Sequence, residues 1–294
     1  MALLKFLGVN GGSSDSHTNA FFFPDPETLV FLDLSLRNFR KARRILTENK
    51  ARLKRVIVLL THLHPDHASG VIMLAYAVRH ELKDTTLEII TDVSLGDDVT
   101  KLFDAEGGRI SYIEEEDGKL YPDKIYELYM LRMLGEGTRF HLFTHSYGTL
   151  VPPQGGDVDK LIPRWFFRAI PTEHAPRLEG ATGFELEVEK TRIIYSGDTS
   201  TFAPFFRAVE AAAEEDAEKI ELYVECSTTK LPVHLFLPEI KSELLKLLIA
   251  APNLDIIFMH YDNRYKVAKE VIALNLAVDA KDNPRVFLAE NFLF

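Results

Sequence analysis

"VIVLLTHLHPDHASG", Val56 to Gly70, joins an apolar run to three histidines and an aspartate packed into His62–His67. Val56–Leu60 is β-branched and too short for a helix, so it reads as a buried strand. His62, His64, Asp66 and His67 occupy the loop at its end. From Ala68 to Leu82 apolar residues recur at helical intervals, which predicts a helix beyond the loop. A loop at a strand's end can turn ring nitrogens and a carboxylate toward one point. His62 and His64 can face the same way, Asp66 and His67 come from the next turn, and Pro65 suits an early helical position. Imidazole and carboxylate without thiolate form a ligand set for zinc, manganese or iron. Four ligands this close would crowd one ion, so two adjacent metals suit the spacing better. The competing reading is a charged capping loop with incidental histidines.

Outside this stretch the chain reads as a globular protein. Its 294 residues are 46% hydrophobic, and 34 basic against 44 acidic side chains leave a net charge of −10. That balance argues against a protein whose main task is to blanket nucleic-acid phosphates. The one cysteine, Cys226, rules out an internal disulfide and suits a cytoplasmic setting. "MALLKFLGVNGG" at the start is too short for a signal sequence. No apolar run reaches the ~18 residues of a membrane span.

Strands are expected at Leu3–Val9, Ala20–Phe23, Thr28–Asp33 and Leu87–Thr91, with helices at Asn38–Asn49 and Val93–Phe103. In the middle, Asp123–Leu134 reads as a helix, and Phe140–Leu150 and Trp165–Ile170 as strands. Phe184–Glu189 and Arg192–Ser196 form a hairpin. Beyond it, helices Pro204–Ala217, Pro238–Ala250 and Tyr265–Ala277 alternate with strands Leu222–Glu225, Asp255–His260 and Val286–Leu288. Nothing reads as a linker or a short repeat. One α+β domain over residues 1–294, with two packed mixed sheets flanked by helices, fits this order.

The "THLHPDH" stretch, Thr61–His67, resembles the H-x-H-x-D-H signature of the metallo-β-lactamase fold, an αββα sandwich. That resemblance implies further ligands downstream, and each has a candidate. "PTEHAPRLEGATGFELE" offers His174, "RIIYSGDTS" offers Asp198 after an apolar strand, and "DIIFMHYDNRY" offers His260 at the end of another. The resemblance implies that His62, His64 and His174 hold one divalent ion and Asp66, His67 and His260 the other, with Asp198 bridging them. Two zinc ions are expected, with manganese or iron as alternatives.

Within that superfamily "HYDNRY", His260–Tyr265, is similar to the H-x-S-x-R-Y ending of the ribonuclease Z branch. "YVECSTTKLPVHLFLPEI" supplies Glu225 and His234 in the order of that branch's auxiliary pair, in which a carboxylate orients an imidazole that protonates the leaving oxygen. Three departures stand out, one being a spacing from Glu225 to His234 shorter than that branch shows. Val224 replaces a histidine of that branch, and no flexible arm is evident, "GGDVDKLIPRW" being a weak candidate. "ECS" followed by "HLFLPE", the early "HTNAFFF" and Gly70 are similar instead to class II cyclic-nucleotide phosphodiesterases. The expected function is therefore a dinuclear metallohydrolase in which a metal-bridging hydroxide attacks a small phosphodiester, cyclic nucleotides included. Asp66, Glu225 and His234 are the expected catalytic residues. An RNA 3′-end endonuclease and a lactone or ester hydrolase are the alternatives, and a homo-oligomer is compatible with the sequence. Of the remaining histidines, His80 reads as solvated, His141 and His145 as structural, and His17 as able to overhang the site.

Overall fold

The computed structural model describes residues 2–294 except 12–15, 83, 97, 100, 102–108, 115–119, 125–129, 135–139, 143, 147–148, 152–162, 175–180, 216 and 281–282. The weak arm candidate at 155–165 falls largely outside the described residues, as do the side chains of His141 and His145. The chain divides into two compact units, Met1–Phe22 with Pro163–Phe294, and Phe23–Ile162.

In the unit formed by 23–162, strands β3 (Thr28–Leu32), β4 (Arg55–Leu59), β5 (Thr86–Asp92) and β8 (Met130–Leu134) run parallel, and β9 (Phe140–Leu142) pairs antiparallel to β8. Leu29 to Leu32 and Val56 to Leu59 are all fully buried, the continuous apolar pattern of parallel strands covered on both faces. Helix α1 (Leu36–Asn49) packs on α3 (Val71–Glu81), and α3 packs on β5. Two-stranded antiparallel ribbons form from β6 (Arg109–Glu114) with β7 (Leu120–Lys124), and from β10 (Thr144–Ser146) with β11 (Thr149–Val151).

In the other unit β1 (Lys5–Gly8) pairs antiparallel to β2 (Asn19–Asp25), in the course of which the chain leaves the unit. A six-stranded sheet follows in the order β12 (Phe166–Pro171), β13 (Thr182–Val188), β14 (Thr191–Tyr195), β15 (Lys219–Glu225), β16 (Leu254–Met259), β17 (Val286–Leu288). Its first three strands are antiparallel and the rest parallel. Glu189 and Lys190, at φ 48° and 63°, make the turn from β13 to β14. Two positive φ values in succession give the turn handedness that matches strand twist. Helix α4 (Ala203–Glu214) packs on β14 and β15, α5 (Leu237–Ala250) on β16, and α6 (Arg264–Ala277) on β17. Two mixed sheets flanked by helices result, as the sequence led us to expect. No helix among the described residues is long and apolar enough to cross a membrane.

Three local expectations are corrected, one of them the single strand expected at Phe140–Leu150, whose described residues belong to β9, β10 and β11. The helix expected at Ala68–Leu82 is split into α2 (Pro65–Ala68) and α3, with Ser69 and Gly70 between them. Gly70 donates its amide to the Leu34 carbonyl at 2.9 Å, and a Cβ there would lie 2.5 Å from the Ser35 carbonyl oxygen. The loop therefore hugs the end of β3, and only glycine permits the approach. Of the helix expected at Asp123–Leu134, the described residues are instead the end of β7 and the whole of β8. Pairing of Met130–Leu134 with β5 overrides the helical propensity of its Met, Leu and Arg residues. Phe258 lies fully buried in β16, and Phe258→Ala should cost about 3–5 kcal/mol, read as a lower midpoint in urea unfolding.

Candidate metal centre

The residues singled out from the sequence fall into two groups, one in each unit. Within 23–162 the loop after β4 carries His62, His64, Asp66 and His67, with Asp66 and His67 on the single turn of α2. The His62 ring lies 4.7 Å from that of His64 and 4.2 Å from that of His67, centroid to centroid. Asp66 Oδ2 is 3.6 Å from His67 Nε2. Three imidazoles and a carboxylate therefore converge, as the spacing predicts.

What orients them is a residue the sequence reading missed. Asp33, just past β3, is fully buried and adopts φ 58°, a left-handed conformation that aspartate tolerates better than most residues. Its carboxylate accepts from the Thr61 amide and hydroxyl, each at 2.8 Å, and Oδ2 lies 2.8 Å from His67 Nδ1. Thr61 Oγ1 in turn lies 3.0 Å from His62 Nδ1. With the Nδ1 atoms of His62 and His67 engaged in this way, Nε2 is the atom through which each ring could hold a metal ion. Outer carboxylates and hydroxyls commonly set ring orientation in this manner. Burial raises the Asp33 carboxyl above its ordinary value, while His67 and Thr61 pull it back. The signal was present as a polar residue ending the apolar run "TLVFLD", but only the fold shows which ring it faces.

In the other unit the loops after β14, β15 and β16 present Asp198, the Glu225 to His234 segment, and His260. His174 Nε2 lies 3.7 Å from Asp198 Oδ2, and His260 Nδ1 lies 3.2 Å from Asp198 Oδ1. His174 Nδ1 meets the Val233 carbonyl at 2.8 Å. His234 Nδ1 is 2.6 Å from Glu225 Oε2, and its ring lies between those of His174 and His260, at 5.2 and 5.4 Å. Glu225 is fully buried and also accepts from the Thr199 amide. Burial and the neighbouring Asp198 charge raise the Glu225 carboxyl above its ordinary value, against the opposing pull of His234 and the Thr199 amide.

These residues suit divalent ions. Asp198, Glu225, His234 and His260 offer nitrogen and oxygen atoms all within 4.8 Å of one another, a borderline-hard donor set of the kind zinc, manganese and iron accept. His260 sits at φ 52°, an uncommon conformation of the kind that clusters at functional sites. A Cβ on Gly11 would come 2.2 Å from His260 Nε2, so a side chain there would displace that ring. A cavity of about 800 Å³, lined by Asn10, Ser16, His234, His260, Asp262 and Arg264 among others, opens beside the group. A second, of about 500 Å³, reaches His234 from the side of Ser200, Phe202 and Lys230. Of the other histidines, His80 is exposed, whereas His17 is 7% exposed and bridges to Asn10.

Asp33→Asn should weaken zinc binding about 10- to 100-fold, because an amide nitrogen can take the place of the oxygen that His67 needs. Competition with a chromophoric chelator measures this, and far-ultraviolet circular dichroism should show no loss of secondary structure. An unchanged affinity would remove Asp33 from the account of the site.

No family model matches the sequence, and no curated protein matches it closely enough to be called a relative. Solved structures do match in fold. Unliganded yeast PDE1 aligns with a TM-score of 0.57 at 15% identity, over 98% of this chain and 98% of that one. A long form RNase Z from yeast aligns with a TM-score of 0.53 at 12% identity, over 89% of this chain and 38% of that one. With these likenesses beside its two mixed, helix-flanked sheets, the chain has the metallo-β-lactamase fold.

Proposed function

We propose that this chain is a dinuclear metal-dependent hydrolase of small phosphodiesters, cyclic nucleotides included, working as one hydrolase domain of the whole 1–294 span. The observation that carries the reading is the 2.6 Å Glu225–His234 pair, set beside Asp198 and His260. A positioned proton donor suits an alkyl phosphodiester, whose alkoxide must depart from an anionic and poorly electrophilic phosphoryl centre; a lactone expels the same kind of oxygen from a more reactive carbonyl carbon. The fold likeness to yeast PDE1 and the short-motif resemblance to class II cyclic-nucleotide phosphodiesterases support the same choice.

By the motif resemblance, His62, His64 and His174 are assigned to one ion and Asp66, His67 and His260 to the other, with Asp198 between them. Two divalent ions, zinc first, would supply Lewis acidity toward water and toward the phosphoryl oxygens. The chain's own residues do the rest. Glu225 holds its carboxylate against His234 Nδ1, which fixes the tautomer and favours the charged ring. His234 then carries a proton on Nε2 for the departing oxygen, and Asp66 is assigned to take up a proton from the attacking water. The Val233 carbonyl orients His174.

The fold likeness to a yeast RNase Z favours a second reading, an RNA 3′-end endonuclease. One panel separates the readings: bis(p-nitrophenyl) phosphate, 3′,5′-cyclic nucleotides, a precursor transfer RNA and a lactone. Cyclic-nucleotide turnover without transfer RNA cleavage is expected, and turnover of the lactone alone would sink the phosphodiesterase assignment. His62→Ala and Asp198→Ala should each lose bound metal, measured by elemental analysis, together with all turnover. His234→Ala should keep its metal and slow diesters of poor leaving groups by about 10²- to 10⁴-fold.

A further inference from the structure

The segment that carries His234 is gripped from two sides. Its base is closed by Ser227, whose amide donates to the Leu235 carbonyl at 2.7 Å and whose carbonyl accepts from the Leu237 amide at 2.9 Å. Between these points the chain makes an exposed excursion, with residues 229–232 all facing solvent. Such a segment has little packing of its own to hold it. At one arm the Val233 carbonyl, adjacent to His234, meets His174 Nδ1 at 2.8 Å. At the other arm stands Asp262, two residues beyond His260. Its Oδ1 accepts from the Thr228 amide at 2.8 Å and from the Thr228 hydroxyl at 2.9 Å, and its Oδ2 accepts from the Thr229 amide at 3.0 Å.

We propose that Asp262 is a positioning residue for His234, clamping the 228–234 loop to the end of β16 so that the His234 ring stays against Glu225. This rests on His234 acting as proton donor in the reading above. Three donors converge on one carboxylate, and bonds to a charged acceptor are the stronger kind. The clamp ties the loop to the strand end that presents His260, so the proton donor and a candidate metal ligand share one rigid support. Asp262 acts through the loop and does not touch the Glu225–His234 pair itself.

The test follows the low-field proton resonance of the His234–Glu225 hydrogen bond, assigned by its loss in His234→Ala. In Asp262→Ala this resonance should broaden or vanish, while bound metal is unchanged and the thermal midpoint moves by only a few degrees. Asp262→Asn keeps an oxygen for both Thr228 donors and should retain the resonance. On a series of aryl and alkyl phosphodiesters, Asp262→Ala should slow poor leaving groups by about 10- to 100-fold, the usual cost of losing an orienting partner, and leave p-nitrophenolate esters nearly unaffected. The double variant with His234→Ala should be no slower than His234→Ala alone, since both act through one group. An unchanged resonance and leaving-group dependence in Asp262→Ala would overturn the proposal. Should that variant not fold, Thr228→Val removes a single donor and carries the same test, with an unchanged resonance and slope again overturning it. If the wild-type protein cleaves no phosphodiester, the functional reading fails, and the resonance alone decides the role of Asp262.

Discussion

A carboxylate sealed away from water has to be met by protein donors, and that requirement shapes both groups of functional residues. Asp33, fully buried, is met by the Thr61 amide and hydroxyl and by His67. The path of the loop after β4 is therefore set by what this carboxylate needs, and with it the directions of the His62 and His67 rings. The same arrangement recurs in the other unit. Buried Glu225 is met by the Thr199 amide and by His234, which ties the segment after Asp198 to the proposed proton donor.

Neither arrangement would form without parallel strands held in register. Leu32 of β3 pairs with Leu59 of β4, so the chain emerges as Asp33 on one strand and Leu60–Thr61 on its neighbour. Tyr195 pairs with Tyr223 and Glu225 with Met259, which brings the segments holding Asp198, Cys226 and His260 out at adjacent carboxyl ends. Open α/β sheets generally bind their ligands outside those ends. A slip of one residue in any pair would turn the alternating side chains to the opposite face and scatter the donors. The apolar runs that lock the register, Val56–Leu60 and Ile256–Met259, are in this sense part of the chemistry.

The elements legible in the sequence were those with strong patterns. Val56–Leu60, Asp255–His260 and the helix near Pro238–Ala250 all appear within a residue or so of their expected bounds, because each has an unbroken apolar run or a clear helical period. Asp123–Leu134 was misread because the composition of Met130–Leu134 suits a helix as well as a strand, and the choice is made by β5 lying alongside. Likewise the single helix expected after the histidine loop gave way at Gly70, where the Ser35 backbone carbonyl comes too close for any side chain.

The choice of candidate ligands was a local matter. The H-x-H-x-D-H spacing and the strand-ending positions of Asp198 and His260 name the donor atoms by residue type and order, which a linear string preserves. Orientation was not. Asp33 and Asp262 have no motif of their own, and each acts on a loop 28 to 34 residues distant in sequence. Whether a carboxylate is buried, which amide it meets and which ring it aims depend on strands brought together from distant parts of the chain, so only the tertiary structure decides them.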